Sequence, residues 1–281
     1  MSKPGGFTYC LNTSTIHECG LDVLREIDVV TQAGYQGIEL WVSEIEAYLE
    51  GGGTLAELRN SLEQNGLEVP NLIAFFSWAH PDDDAREEAL EEARRVLRMA
   101  RELACPCVAA PPMGITDRED ISLNHIADCY GDLLQIAQQV GVKPLLEFWG
   151  HSKVLHSLDD AMEVLSLVDD PDTAILADVF HMAKGGSNFE LLRKLDGAQL
   201  GLIHLNDYPE SQDVTRLTDR ERVYPGDGLA PYRMIMEALR EIEYAGTLSL
   251  ELFNEAYQRA GALEVAQTGL EKMKQVVEAG G

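Results

Sequence analysis

Eight short apolar runs alternate with longer stretches of helical periodicity, and this alternation constrains the fold more than any other feature of the chain. The runs read FTYCLN, GIELWV, VPNLIAFF, CVAAPPM, PLLEFWG, AILADVF, LGLIHLND and TLSLELFN. Each is short and apolar, and most end in a polar residue, as a strand buried on both faces does. Between them, residues 20–33 carry Leu21, Leu24, Ile27 and then Val30 or Ala33 at helical spacing. Residues 84–103 repeat Ala85, Ala89, Ala93, Val96, Leu97 and Ala100 over a charged opposite face, and 121–140 carry Ile126, Leu133, Ile136 and Val140. Gly34, Gly66 and Gly141 stand where helices should stop before a strand.

Strand runs alternating with helices call for parallel β/α architecture. Eight units of about 35 residues match a closed (β/α)8 TIM barrel, an α/β fold, as one domain over residues 1–281. The competing open doubly wound sheet lacks its glycine-rich phosphate loop, since CLNTSTIHECG follows the first run. One long irregular segment, 210–228, follows the seventh run and is expected at the barrel mouth.

Charge narrows the partners. The chain has 281 residues, 25% of them charged, and a formal net charge of −26, which repels nucleic acid and anionic lipid and favours a small-molecule substrate. No apolar run reaches the ~18 residues of a membrane span, and the N-terminal MSKPGGFTYCLN lacks a signal-peptide core. A cytoplasmic protein is expected, and homo-oligomerisation stays open. The five cysteines, Cys10, Cys19, Cys105, Cys107 and Cys129, read as ordinary thiols rather than a disulfide framework or a zinc pair.

The fifth run poses a chemical question: LLEFWGH places Glu147 in the middle of an apolar strand. A buried carboxylate needs compensation, by a salt bridge, a metal or a catalytic task. Barrel enzymes put chemistry at the C-terminal ends of strands. There, run two offers Glu39, run five Glu147, run six Asp178 with His181 three further on, run seven His204 with Asn206 and Asp207, and run eight Glu251. Taken alone, each has a plain structural reading. Taken jointly, Glu147, Asp178, His204 and Glu251 come from four consecutive runs and would converge on one divalent cation, with three carboxylates and an imidazole suited to Mn²⁺, Mg²⁺, Co²⁺ or Zn²⁺.

On these motifs the chain resembles the xylose isomerase-like TIM-barrel sugar isomerases and epimerases. LLEFWGH, LADVFHM, IHLND, RVYPGDG and LSLELF fall in that family's order and spacing. Within it, EFWGH, FHMAKGGSN, LTDRERVYPGDG and SLELFN are similar to the inosose isomerase subgroup, with Lys184 in MAKGGSN a departure that leaves the substrate open. The resemblance implies that Glu147, Asp178, His204 and Glu251 bind the metal, that the two glutamates are also the acid/base pair, and that His181 and Arg222 contact substrate oxygens. Such a site removes the C–H proton beside a ketone and stabilises the enediolate that forms. The substrate expected is a keto-sugar or keto-polyol.

Around this set, Glu39 is expected at the substrate site as a partner orienting a ligand or a water, and Trp149 and His151 as pocket walls. Trp41, Phe75, Trp78, Phe148, Phe180 and Phe253 also lie near strand ends, where one or two should meet the sugar's C–H face. The plain alternatives are packing under Asp178 for His181, a surface ion pair for Arg222 and a rim salt bridge for Glu39. The same site would also serve a dehydratase or keto-glycoside lyase. A third reading is a non-catalytic sugar-binding barrel, disfavoured by the presence of both glutamates. The apurinic-site endonucleases resemble this barrel too, but their Asp-x-His is replaced here by Arg220–Glu221–Arg222, and the acidity opposes DNA.

Overall fold

The computed structural model describes residues 6–211 and 213–280. The first five residues, part of the stretch on which the reading of the N-terminus rests, lie outside that range. Eight parallel strands close one barrel in sequential order: β1 Thr8–Asn12, β2 Gly37–Trp41, β3 Leu72–Ile73, β4 Cys107–Ala110, β5 Lys143–Glu147, β6 Ala174–Asp178, β7 Leu200–Leu205 and β8 Thr247–Leu250. Around them run α1 Val23–Ala33, α2 Val42–Glu50, α3 Leu55–Asn65, α4 Asp83–Glu102, α5 Leu123–Val140 and α6 Leu158–Val168. The short α7 Val179–Lys184 and α9 Glu255–Gln258 follow β6 and β8, with α8 Tyr232–Glu241 and α10 Ala262–Ala279 completing the ring. Among the described residues no helix is long and apolar enough to cross a membrane.

Local chemistry sets the helix boundaries. Asp22, Thr54, Asp82, Ser122 and Ser157 each accept a backbone N–H of the first turn they precede. Gly34, Gly66 and Gly141 end α1, α3 and α5 in the left-handed conformation, as expected. Several strands are shorter than their apolar runs, and runs three and six show why. Run three, 69–76, pairs only over Leu72–Ile73, since Pro70 cannot donate to a ladder. Run six ends at Asp178, whose carboxylate accepts the His181 N–H and starts α7, so Val179 and Phe180 belong to a helix. All five cysteines are free.

Side chains two apart on a strand share a face. Ile73, Ala109, Leu145, Ala174, Leu176 and Leu202 form a buried cluster separate from the larger one under the helices, and fill the barrel interior. The same parity carries upward to Glu147, Asp178 and His204, and back along the chain from Ile73 to Asn71. Asp178 pairs with His204, His204 with Ser249, and Asn12 with Glu39. One polar layer therefore caps the apolar interior at the C-terminal ends of the strands.

Candidate metal centre and active site

His204 is the centre of this layer. Its Nε2–H is 3.0 Å from Glu39 Oε2, which also accepts the Ser249 hydroxyl, while Asn71 donates to Glu39 Oε1 at 2.9 Å. With Nε2 engaged, Nδ1 faces the opposite side, where Glu251 lies at 3.2 Å and Asp178 at 3.6 Å. Nδ1 has no hydrogen-bond partner of good geometry. Asp178, His204 and Glu251 each place one ligand atom within 4.8 Å of the others, all three buried. The carboxylate-held tautomer, the unbonded nitrogen and two converging oxygens fit a divalent cation. Burial opposes a charge on His204, but the Glu251 and Glu39 carboxylates outweigh it and favour positive charge at this ring.

The other expected ligand, Glu147, lies outside this three-residue group. Its Oε1 accepts the Trp149 indole N–H at 3.0 Å. Burial, reinforced by the Glu251 charge, pushes its carboxyl up to about 8. Glu251 differs: it accepts Asn12 Nδ2 at 3.0 Å and Arg222 Nη1 at 2.6 Å. Two carboxylates at one cavity thus have unlike surroundings, as an acid/base pair requires.

Arg222 is fully buried, against the plain reading of a surface ion pair. Its Nη1 also donates to Asp178 Oδ2 at 2.9 Å, and its Nε and Nη2 to Asp219 Oδ1 at 3.1 and 2.6 Å. The guanidinium stacks between Phe180 and Phe253, at 4.8 and 5.1 Å. Burial raises the Asp178 pKa, but Arg222 more than offsets it and holds that carboxylate well below its usual range. The loop that delivers Arg222 is built on Asp207, whose carboxylate accepts the N–H groups of Tyr208, Gly226, Gly228 and Ala230. A Cβ at Gly228 would strike Asp207, which explains YPGDG.

His181 is buried on α7. Its Nε2 lies 3.3 Å from Arg222 Nη2, and its Nδ1 has no protein partner. Burial, resisted by Asp178, lowers it to about 4, so the ring is neutral near pH 7. With Nε2 accepting from Arg222, Nδ1 carries the proton and is a donor for a bound oxygen.

A cavity of about 230 Å³ is lined by Trp41, Ile73, Phe75, Glu147, Trp149, His151, His181, Asp219, Arg222, Glu251 and Phe253. Trp149 and His151 are among its walls, their rings stacked at 5.4 Å. Of the other aromatics named above, Trp41, Phe75 and Phe253 form its wall with Trp149, whereas Trp78, Phe148 and Phe180 are core. Glu39 does not reach it; fully buried, it faces His204 from behind and orients that ring rather than a substrate. His80 accepts the Asp82 N–H at the start of α4. A larger cavity, about 770 Å³, opens at the opposite end of the strands around Lys143, Ala174, Leu200 and Gly246, away from the metal-ligand cluster.

Two positioning residues escaped the sequence reading. Asn12 ends run one and ties Glu251 to the Trp41 indole, which donates to its Oδ1 at 2.9 Å. The rule of taking the last polar residue of each run would have found it. Asn206 accepts Phe180 N–H and donates to Asp178 Oδ2 at 2.7 Å, so it orients that carboxylate; its place beside His204 was visible, its task was not. Lys184, the departure within MAKGGSN, donates to the carbonyls of Thr215 and Leu217 at 2.6 and 2.5 Å, and ties α7 to the loop bearing Asp219 and Arg222.

A family model described as xylose isomerase-like TIM barrel matches residues 27–276. An inosose isomerase of Halalkalibacterium halodurans is 28% identical over 273 residues, 95% of each chain. One from Bacillus subtilis is 30% identical over 212 residues, 74% of each. The crystal structure of the IOLI protein with a binding zinc atom superposes with a TM-score of 0.90 at 26% identity, covering 97% of this chain and 99% of that one.

Proposed function

This chain belongs to the xylose isomerase-like TIM barrel family, among relatives that are sugar isomerases, and we propose that it is a divalent-metal-dependent isomerase or epimerase of a keto-polyol, an inosose-type ring ketone in particular. The observation that carries this reading is the pairing of Glu147 and Glu251, in unlike surroundings, at one small cavity beside the Asp178–His204–Glu251 cluster. Asp178, His204 and Glu251 would hold the cation, with Glu147 completing the set; bound there, it supplies Lewis-acid polarisation of adjacent substrate oxygens.

The chain's own groups account for the rest. One glutamate removes the proton from the carbon next to the ketone, and the other returns a proton to complete the reaction. Return to the former carbonyl carbon, with the hydroxyl proton passing between the two neighbouring oxygens, moves the ketone along the ring; return to the opposite face of the first carbon inverts it. The His181 Nδ1–H donates to a substrate oxygen, Arg222 balances the negative charge that develops, and the aromatic wall covers the ring's C–H face and excludes water.

The test is proton-exchange NMR in D₂O with an inosose, in the presence of Mn²⁺, Mg²⁺, Co²⁺ or Zn²⁺. Deuterium is expected at the carbon beside the ketone. Glu147→Gln and Glu251→Gln should each lower exchange by about 10²–10⁴-fold, the range for a general acid or base, with ketone binding retained. Full exchange in both variants would remove the acid/base assignment.

A further inference from the structure

The cavity over the ligand cluster shares part of its wall with a neighbouring cleft. Trp41, Asp219 and Phe253 also line a second cleft of about 440 Å³, completed by Ser14, His17, Glu18, Thr218, Arg220, Glu255 and Gln258. Clefts for small organic ligands span about 300–1,000 Å³. The inner cavity at 230 Å³ falls below that range, and the two joined fall within it. Accepting the ketone chemistry above, we propose that the two form one binding cleft, in which the outer part is a subsite for an uncharged hydroxylated substituent, a glycosyl group, carried by the keto-polyol ring.

The lining selects that chemistry. The Trp41 and Phe253 rings meet at 6.2 Å and 68°, so they turn a corner and give an apolar surface to each compartment. At the junction Arg222 takes Asp219 Oδ1, leaving Oδ2 to accept from a hydroxyl. Glu18 and Glu255 add carboxylate acceptors on the far side. The local cation is engaged: Arg220 pairs with Glu255 at 2.8 Å. A phosphate or carboxylate would therefore meet acidic groups without a spare cation. Hydroxyls satisfy the acceptors with no charge to bury. The walls are held in place. Gln258 bridges the Glu18 N–H and the Ser14 carbonyl, each at 2.9 Å, and Thr218 is fixed by Glu221.

The experiment compares an inosose with the same inosose carrying a β-glucosyl group, by deuterium exchange in the Mn²⁺-loaded protein and in Glu18→Trp. Glu18 is exposed and lines only the outer cleft. The glucosylated ketone is expected to show kcat/KM about tenfold above the bare ring, the worth of one added pocket contact. Glu18→Trp should erase that advantage through KM while the bare ring is exchanged as before. A glucosylated ketone no better than the bare ring, or an equal loss for both in Glu18→Trp, would overturn the subsite and leave the isomerase reading standing. Exchange of neither ketone would overturn both.

Discussion

Glu39 and Glu147 are both carboxylates buried at the top of the barrel, yet their partners give them opposite character. Burial raises the pKa of both, but in Glu39 the His204 contact outweighs it and keeps the carboxylate ionised, whereas in Glu147 the Glu251 charge adds to it. Glu39 thereby fixes the His204 tautomer. Glu39→Gln should weaken metal affinity by about 10–100-fold, measured by competition with a chromogenic chelator, while leaving the fold intact. A further buried acid is unrelated to the site. Glu26 on α1 is buried with Oε2 unpartnered, and burial with the Glu44 and Asp22 charges raises it from 4.5 to about 8. Its folded pKa lies above the unfolded one, so its contribution is full below about pH 4.5 and is lost as pH rises to about 8. Glu26→Gln should therefore melt several degrees above the parent near pH 9 and alongside it near pH 4, in thermal scans at the two pH values.

Among the elements, α7 and the loop after β7 act together. Asp178 starts α7, His181 projects from it, and Lys184 at its end grips the loop that bears Asp219 and Arg222. The residue that departs from the inosose isomerase pattern thus joins two parts of the site. Lys184→Met should raise KM several-fold with a smaller change in kcat, and speed amide exchange at residues 214–219, since two charge-assisted hydrogen bonds to the loop are lost. Close backbone approach has a similar function at Gly150 and Gly185. A Cβ at Gly150 would lie 2.7 Å from the His181 carbonyl, so the glycine of EFWGH lets the turn bearing Trp149 and His151 pack on α7. The strand runs were legible because burial on both faces writes an unbroken apolar pattern. The end of run six was not, because Val179 and Phe180 are equally at home in a strand or a buried helix turn.

At the scale of the whole molecule, eight strands collect on one ring what the chain spreads over more than 200 residues, from Asn12 to Glu251. On the proposed function, a divalent cation held by the acidic groups gathered there would stabilise the fold as well as serve the chemistry. A saturating divalent metal, at about a hundred times its Kd, should stabilise the protein by about 2.7 kcal/mol, or about 5 °C in the thermal midpoint. Chelator should reverse the shift, and Asp178→Asn should diminish it. The sequence by itself determined the barrel, through eight apolar runs and the glycines between them. It also determined which polar residues reach the rim, because side-chain direction in a strand has a period of two and the rim is where each run ends. Only the tertiary structure decided which of those residues face one another. It turned Glu39 to the back of His204, brought Arg222 inward from a loop onto Asp178 and Glu251, and set Asn12 and Asn206 against Glu251 and Asp178. Those pairings follow from barrel closure and loop path, and neither leaves a local pattern in the chain.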